Sequence, residues 1–339
     1  MNHPAARQSE PVRVAVVGPT ATGKSDLALD LADALGGRCE MINADAFQLY
    51  RGMNIGTAKL PVSERRGYPH HQLDVLEVTQ EANVASYQRH ARADLEAITA
   101  RGRRPIMVGG SGLYVRAVTD ALDFPGTDPA VRAAFQDRAD AEGAARLWEE
   151  LREADPEAAA RIEPSNTRRI VRALEVIQLT GRPFTASLPR YADLAPTVHL
   201  ALRLDRAALN ARIDARAATM FSSGLLEETE ALLASGLREG PTAARAIGYA
   251  QAIAVLDGHL TRQEAAAETA AATRKLASRQ IKWFRRDPRV HWLDVAVDAA
   301  GQWRPGERER VVAEAVRIVR AGAAVAQPER TGEAIGWGP

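Results

Sequence analysis

The sequence contains a single cysteine, Cys39, among its 339 residues. One cysteine cannot form an intramolecular disulfide, and zinc sites built from cysteines alone are excluded as well. No apolar run approaches the ~18 residues that a membrane-spanning helix needs, and Met1–Glu10 lacks the apolar region of a signal peptide. We therefore expect a cytoplasmic protein with no membrane segment, in which Cys39 is a small buried residue at the start of a strand.

Lysine is also scarce, because only four of the 44 basic residues are lysine. The four are Lys24, Lys59, Lys275 and Lys282. The 44 basic residues face 43 acidic ones, so the net charge of +1 gives no sign of a nucleic-acid partner. Such an average can hide local patches, on which electrostatic steering depends. In a chain that otherwise uses arginine, we treat these four lysines as candidates for functional positions.

Short β-branched runs alternate with segments of helical apolar spacing along the chain. The predicted strands are Val12–Val17, Cys39–Asn43, Pro105–Val108, Leu200–Leu204 and Val290–Val295. The predicted helices are Ser25–Leu35, Ser86–Ala100 and Leu113–Ala121, and helices also dominate Asp205–Phe284. This order predicts an α/β fold with a parallel sheet, helices on both faces, and ligands at the carboxyl ends of the strands. Because Gly18–Ser25 matches the G-x-x-x-x-G-K-[ST] pattern after the first strand, the expected sheet is like that of P-loop NTPases.

The sequence pattern changes at residue 123. From Pro129 to about Thr180 it is helical, rich in alanine and without strand signals. We therefore expect an all-helical insertion domain at residues 123–197. The P-loop core with its helical C-terminal part would be formed by residues 1–122 and 198–322, and a loose polar tail by residues 323–339.

A phosphate-binding loop follows the first predicted strand. Gly18–Ser25 matches the G-x-x-x-x-G-K-[ST] pattern in full. Its glycines let backbone N–H groups turn toward a phosphate, Lys24 reaches the outer phosphate and the Ser25 hydroxyl can hold Mg²⁺. The pattern by itself specifies a phosphorylated ligand, not a nucleotide. No clear Walker B strand of apolar residues ending in Asp follows it, which indicates an unusual P-loop protein. The expected contacts are Gly18, Thr20, Ala21, Thr22, Gly23, Lys24 and Ser25.

Asp45 follows the second predicted strand, beside the expected position of the phosphate loop. A carboxylate there can bind Mg²⁺, accept a proton or bond to a substrate N–H, whereas the alternative is an aspartate that only shapes a turn. Ala44–Asp74 as a whole is predicted to be a long loop. The adjacent His70 and His71 lack the i, i+4 spacing of helical metal ligands, so we expect a structural role for them.

Two segments carry an excess of positive charge that the average hides. Thr273–Arg289 contains seven basic residues against one acidic residue, with Trp283 and Phe284 among them. Residues 161–190 contain six arginines against two glutamates. Such segments can bind RNA phosphates while their aromatic rings stack on bases. The alternative is a solvated helix face with aromatic residues in the core.

Several segments also carry a family resemblance. They are Gly18–Ser25, Asp45–Lys59, Val108–Tyr114, Arg169–Val176, Ala246–Tyr249 and Thr273–Gln280 with Trp283-Phe284. In this order, across residues 13 to 294, they resemble bacterial tRNA dimethylallyltransferases, also called tRNA isopentenyltransferases. The phosphate loop alone is generic, whereas the Met53–Lys59 segment and the segments near the C-terminus are specific together.

The resemblance implies a prenyltransferase that moves the dimethylallyl group of dimethylallyl diphosphate to N6 of the adenosine next to the tRNA anticodon, at position 37, and releases diphosphate. It implies Asp45 as the general base and Thr20 as a hydroxyl that helps to hold the amine. Lys24, with Mg²⁺ at Ser25, would stabilise the leaving diphosphate. Because the adenosine is stacked in its loop, it must be extruded into a pocket.

The resemblance further implies the tRNA anticodon stem-loop as the partner, and we expect the protein to be a monomer. The implied tRNA contacts are Asp45, Ala46, Phe47, Gln48, Ser111, Arg132, Arg168, Arg169, Arg172, Gly248, Tyr249, Gln251, Arg274, Lys275, Arg279 and Gln280, and Arg279 is also an implied diphosphate contact. The chain departs from the family at three positions. Ala44 and Ala46 replace small hydroxyl residues, and Ser278 stands where a lysine is common.

Two other functions remain open from the residues alone. A small-molecule kinase would use the same loop and Mg²⁺ with Asp45 as the base, but it would need an arginine-rich lid over ATP. An RNA-binding NTPase switch would need a clear Walker B strand. The prenyltransferase accounts for the loop, the missing Walker B strand and the basic segment together.

Overall fold

The computed structural model describes residues 11–122, 124–184, 191–298 and 300–325. It contains one parallel sheet with the spatial order β3-β2-β4-β1-β5-β6. The strands are β1 (Arg13–Val17), β2 (Cys39–Asn43), β3 (His70–His71), β4 (Arg104–Gly109), β5 (Thr197–Arg203) and β6 (Val290–Asp294). The five predicted strands are confirmed. The expectation that Ala44–Asp74 is loop throughout is wrong at β3, whose two residues are too few for a periodic pattern.

Twelve helices are described in these residues. They are α1 (Lys24–Ala34), α2 (Val84–Ala100), α3 (Gly112–Thr119), α4 (Pro129–Glu142), α5 (Ala144–Ala154), α6 (Pro156–Arg161), α7 (Thr167–Thr180), α8 (Arg206–Ser222), α9 (Leu225–Ala234), α10 (Tyr249–Leu256), α11 (Arg262–Phe284) and α12 (Glu307–Val325). Residues 323–325, expected to be loose, belong to α12, and residues 326–339 lie outside the described part. Within the described ranges, no helix is both long and apolar enough to cross a bilayer.

The sheet buries both of its faces. Val14, Val16 and the side chains that share their face pack against α1 and α12, whereas Ala15 and Val17 face α2 and α3. In sequence, such strands are nearly continuous apolar runs, because neither face of the sheet is exposed to water. Helices on both faces, as predicted, therefore leave the carboxyl edge of the sheet as the open place for a ligand.

The chain divides into two compact units. Asp120–Ala192 forms one, which contains α4 to α7, and the rest of the described chain forms the other. The helical unit has its own core, built around Leu147, Leu151 and Ile170. Residues 193–197 group with the sheet, because Leu194 N–H donates to Thr119 O at 2.7 Å and Arg13 N–H donates to Pro196 O at 3.2 Å.

Candidate active site

Three chain segments meet where β1, β2 and β4 end. Because β4 lies between β2 and β1 in the sheet, the phosphate loop, Asp45 and the Gly109–Ser111 turn share one edge. Ser111 N–H donates to Ala44 O at 3.1 Å, and its hydroxyl accepts the N–H of Ala46 at 3.3 Å. These bonds join the turn after β4 to the segment that carries Asp45.

The phosphate loop is folded around its own lysine. The Lys24 ammonium donates to Pro19 O at 2.7 Å, and the Thr22 hydroxyl donates to the same oxygen at 3.0 Å. Gly23 has φ +94° and precedes the first residue of α1, a left-handed conformation that favours glycine. The loop thus delivers Lys24 and Ser25 at a helix N-terminus, where partial positive charge favours an anion.

Helices α8 and α11 hold the loop from outside the sheet. Gln280 on α11 accepts the N–H of Thr20 at 2.8 Å and donates to Gly110 O at 3.0 Å. On α8, Arg212 donates to Ala21 O at 2.8 Å, and Arg216 donates to the Thr20 hydroxyl oxygen. Since that hydroxyl accepts from Arg216, its own hydrogen remains available for donation.

A cleft of about 440 Å³ opens between these elements. Lys24, Ser25, Asp45 and Arg216 all line it, as do Gly109 and Gly110. A smaller cavity of about 80 Å³ shares Thr20, Asp45 and Arg216 with the cleft. Its other walls are largely apolar and include Phe47, Ile213, Ala217, Met220, Ile247 and Leu276. The site therefore combines a cleft lined by charged residues with an adjoining, largely apolar cavity.

The cations of the cleft are desolvated. Burial lowers the pKa of Lys24 to about 8, with Asp45 acting in the opposite direction and Arg216 adding to the decrease. Burial likewise lowers the pKa of Arg216, although the charge of Asp45 offsets part of the effect. Two such cations face one carboxylate across the cleft, an arrangement that suits an anionic ligand with several oxygens.

Asp45 is oriented by its own turn. Its backbone N–H donates to Asn43 Oδ1 at 3.0 Å, and its Oδ1 accepts the N–H of Phe47 at 3.0 Å. The turn-forming and the chemical roles of Asp45 therefore coexist, because the carboxylate also lines both cavities. Gln48 lines the cleft and donates to Thr57 O at 3.1 Å, which joins this turn to the Met53–Lys59 segment.

The residues at the start of α1 fit a magnesium ion bound together with a diphosphate. The exposed Ser25 lines the cleft and offers one hydroxyl oxygen. No group of three or more His, Cys, Asp or Glu side chains suited to a metal ion occurs among the described residues. Mg²⁺ accepts such a sparse site when phosphate oxygens and waters complete its shell.

The expected tRNA contacts on α10 and α11 lie in different environments. Tyr249 is fully buried, and Gln251 accepts the N–H of Gly248 at 2.9 Å. Gln280 is buried against the phosphate loop. Lys275 and Arg279 are exposed and line neither cavity, while Arg274 pairs with Asp214.

The aromatic residues of the basic segment pack inside the protein. Phe284 is buried in the sheet core, and a Cβ at Gly112 would lie 2.0 Å from Trp283 Nε1. These rings therefore match the core alternative, whereas the exposed Lys275, Arg279 and Lys282 match a surface for phosphates.

In the helical unit, the expected tRNA contacts fall into two groups. Arg168 and Arg169 are exposed at the start of α7. Arg132 and Arg172 each donate to Glu175 Oε2 at 2.9 Å, and Glu175 also accepts the N–H of Asp128 at 3.0 Å. The Glu175 side chain is fully buried, so it organises both arginines. Arg190, the last of the six arginines counted in residues 161–190, lies outside the described residues.

Replacing Glu175 with glutamine should destabilise the helical unit by about 2 kcal/mol at pH 7, because bonds from two guanidinium groups lose their charged acceptor. Burial would raise the pKa of Glu175, but Arg172 and Arg132 hold it below its usual value. The stabilisation is therefore present above the unfolded pKa of about 4.3 and is lost as the pH falls through the folded value. Urea unfolding of Glu175→Gln and of the unaltered protein, at pH 7 and below pH 4, measures the difference in the free energy of unfolding. Glu163→Gln, at an exposed position, is the control. An equal effect at both pH values would contradict it.

Two other residues of the sequence analysis have structural partners. Lys59 is buried, and its ammonium donates to Tyr50 O at 2.7 Å and to Asp74 Oδ1 at 2.5 Å. His71 lies 2.7 Å from Glu40, and His70 lies 2.8 Å from Tyr68 O. The Lys59 and His70 contacts join parts of the Ala44–Asp74 stretch to one another, whereas the His71–Glu40 contact ties the stretch to β2.

The sequence did not reveal Arg212, Arg216 or the loop-holding role of Gln280. The two arginines lie four residues apart on one face of α8. In a chain with 40 arginines this spacing is not distinctive. Glutamine at position 280 belonged to a recognised segment, but nothing local showed that its partner is Thr20, 260 residues earlier.

The sheet, the loop after β1 and the cleft at its carboxyl edge define a P-loop α/β protein. A model of the IPP transferase family matches residues 48–287. The chain belongs to this family.

Individual relatives agree with this. A tRNA dimethylallyltransferase of Streptomyces coelicolor is 56% identical over 284 residues, covering 84% of this chain and 90% of the relative. One of Nocardia farcinica is 57% identical, covering 84% and 91%. The solved tRNA isopentenylpyrophosphate transferase of Bacillus halodurans is 34% identical, with a TM-score of 0.66 over 93% of this chain and 99% of that one. A eukaryotic dimethylallyltransferase acting on tRNA, 24% identical with a TM-score of 0.76, shares the fold.

Proposed function

We propose that this protein is a tRNA dimethylallyltransferase, which transfers the dimethylallyl group of dimethylallyl diphosphate to N6 of the adenosine at position 37 of tRNA. The observation that carries the proposal is one cleft in which a carboxylate, Asp45, faces the phosphate loop with Lys24 and Arg216. The family membership and the names of the relatives support the choice of donor and acceptor.

The leaving diphosphate binds to the phosphate loop, Lys24 and Arg216. As the allylic C–O bond breaks, its electron pair leaves with the diphosphate, and these fixed cations stabilise the charge that develops there. Mg²⁺ held by Ser25 would contribute further neutralisation of that charge. The apolar walls beside Asp45 exclude water, which would otherwise compete with the adenosine for the allylic carbon.

The acceptor nitrogen is handled by Asp45 and Thr20. The adenine N6 forms the new bond to the allylic carbon and must lose one proton, which the Asp45 carboxylate accepts. Arg216 donates to the Thr20 hydroxyl oxygen and holds that side chain in place. The Thr20 hydroxyl is thereby fixed beside Asp45, where it helps to hold the N6 amine. The adenosine reaches this site only when it is extruded from the stacked anticodon loop.

In this proposal, exposed basic residues of α11 and of the helical unit bind the tRNA. Lys275 and Arg279 on α11 and Arg168 and Arg169 on α7 are exposed and suit phosphate contacts. The direct diphosphate contact of Arg279, the magnesium ion, the monomeric state and the cytoplasmic location remain predictions. They do not alter the chemistry assigned to the cleft.

The deciding experiment is to incubate the protein with Mg²⁺ and tRNA, together with labelled dimethylallyl diphosphate or with ATP. We expect label to enter tRNA without ATP, with one diphosphate released for each group transferred. A tRNA with guanosine at position 37 is the matched control and should take up no label. ATP turnover without transfer would contradict the proposal and favour a kinase or an NTPase.

A further inference from the structure

The carboxylate of Glu228, on α9, binds a run of backbone N–H groups in the Met53–Lys59 segment. Asn54 and Ile55 N–H donate to it at 3.1 and 3.0 Å, and Gly56 N–H approaches Oε1 at 3.5 Å. Consecutive N–H groups of a tight turn form a concave site for an anion. Here the anion is a side chain from a distant part of the same chain.

Tyr249 supplies a further donor to the same carboxylate. Its hydroxyl donates to Glu228 Oε1 at 2.5 Å, and its ring is fully buried against Gly56. A Cβ at Gly56 would lie 2.4 Å from the ring, so only glycine fits there. Burial, together with the charge of Glu228, raises the pKa of Tyr249, so the hydroxyl keeps its proton and remains a donor.

The turn held in this way forms a wall of the active site. Thr57 lines both the cleft and the smaller cavity, and Gly56 lines the smaller one. Thr57 O accepts the side-chain amide of Gln48, three residues after Asp45. The position of this wall relative to Asp45 therefore depends on what fixes the turn from behind.

We propose that Glu228 and Tyr249 are positioning residues of the transfer reaction. They touch no reacting atom, but they fix the Gly56–Thr57 wall beside Asp45, so that donor and adenine meet in one geometry. The inference builds on the proposed function. It also explains why the Met53–Lys59 and Ala246–Tyr249 segments belong together, since Tyr249 packs on Gly56 and shares Glu228 with it.

Amide hydrogen exchange tests the structural half of this inference. In Glu228→Gln the side-chain NH₂ faces backbone donors, so we expect the amides of Asn54 to Gly56 to exchange at least about tenfold faster. Glu227→Gln, the neighbouring exposed glutamate, is the control and should leave their protection unchanged. Unchanged protection in Glu228→Gln would overturn the proposal, whatever the activity of the protein.

Steady-state kinetics test the functional half. In Glu228→Gln, kcat should fall about tenfold or more, because small misplacements of reacting groups are costly. The KM for tRNA should change by less than about threefold, since the proposed tRNA-binding residues lie on α7 and α11. The thermal midpoint of unfolding should stay within a few degrees of the unaltered protein. Tyr249→Phe keeps the ring and should show a smaller loss. The double variant should be no worse than Glu228→Gln alone, because the one bond that Tyr249→Phe removes ends on the carboxylate that Glu228→Gln has already replaced.

The outcomes separate the two proposals. Lack of transfer by the unaltered protein would contradict the proposed function. The exchange measurement would still show whether Glu228 fixes the turn at Asn54 to Gly56. An active protein whose Glu228→Gln and Tyr249→Phe variants keep activity within about twofold would overturn the positioning role. If Glu228→Gln does not fold, Tyr249→Phe carries the test, and a loss matched by its unfolded fraction would also overturn it.

Discussion

Replacing Asp45 with asparagine is expected to lower the rate of dimethylallyl transfer about 10³-fold, within the usual range for a lost general base. Asparagine keeps an Oδ1 that can accept the Phe47 N–H, now bonded at 3.0 Å, so the turn should survive. What disappears is the group that accepts the N6 proton. Single-turnover transfer of labelled dimethylallyl groups to saturating tRNA measures this loss.

Two comparisons make this result specific. Affinity for tRNA, measured separately, should remain within a few-fold, because Asp45 is one of many expected contacts. Asp140→Asn changes an exposed aspartate of α4 that lines neither cavity and should keep the unaltered rate. An Asp45→Asn enzyme that retains a tenth or more of the transfer rate would remove Asp45 as the base.

Much of the sheet could be predicted because local pattern and global burial agree. The β1 and β4 runs are mostly apolar and are followed by, or end in, glycine, which is typical of strands covered on both faces. β2 contains fewer apolar residues but leads into the polar turn at Asp45. β3 escaped prediction because it consists of two histidines and exists only through pairing with β2. α12, which covers one face of the sheet, was not assigned from its sequence.

The site could be predicted only in part, because its contacts are non-local. The phosphate loop and Asp45 are local motifs and were found. Arg216 reaches Thr20 from 196 residues further along the chain, and Gln280 reaches it from 260 residues away. No periodicity encodes such pairs, since tertiary packing creates them.

The scarce lysines illustrate the same limit. Lys24 lies in the cleft, and Lys275 and Lys282 are exposed on α11. Lys59 instead is buried as the partner of Asp74, and burial lowers its pKa while Asp74 opposes the change. The ammonium of Lys59 is bonded to Tyr50 O and Asp74, so the rarity of lysine does not show whether a given lysine binds a ligand or supports the fold.

Replacing Lys24 with methionine should lower kcat/KM for dimethylallyl diphosphate by about 10² to 10³, the usual loss when one preorganised charge at a developing anion is removed. Methionine has a similar length but carries no charge and cannot donate to Pro19 O, which Lys24 reaches at 2.7 Å. Initial rates at low donor concentration, with tRNA saturating, measure this parameter. A loss smaller than about threefold would contradict a role of Lys24 in diphosphate stabilisation.

The pH dependence should carry the signature of the same lysine. Burial lowers the pKa of Lys24 to about 8, so the ammonium is charged below that pH and is lost as the pH rises through it. We therefore expect kcat/KM for the donor to fall above about pH 8, since this parameter reports groups of the free enzyme. Lys24→Met should lose this alkaline fall, whereas Lys282→Met, on the exposed face of α11, should keep it. A profile flat to pH 9.5 in the unaltered enzyme, or a fall that persists in Lys24→Met, would show that another group governs the charge of the cleft.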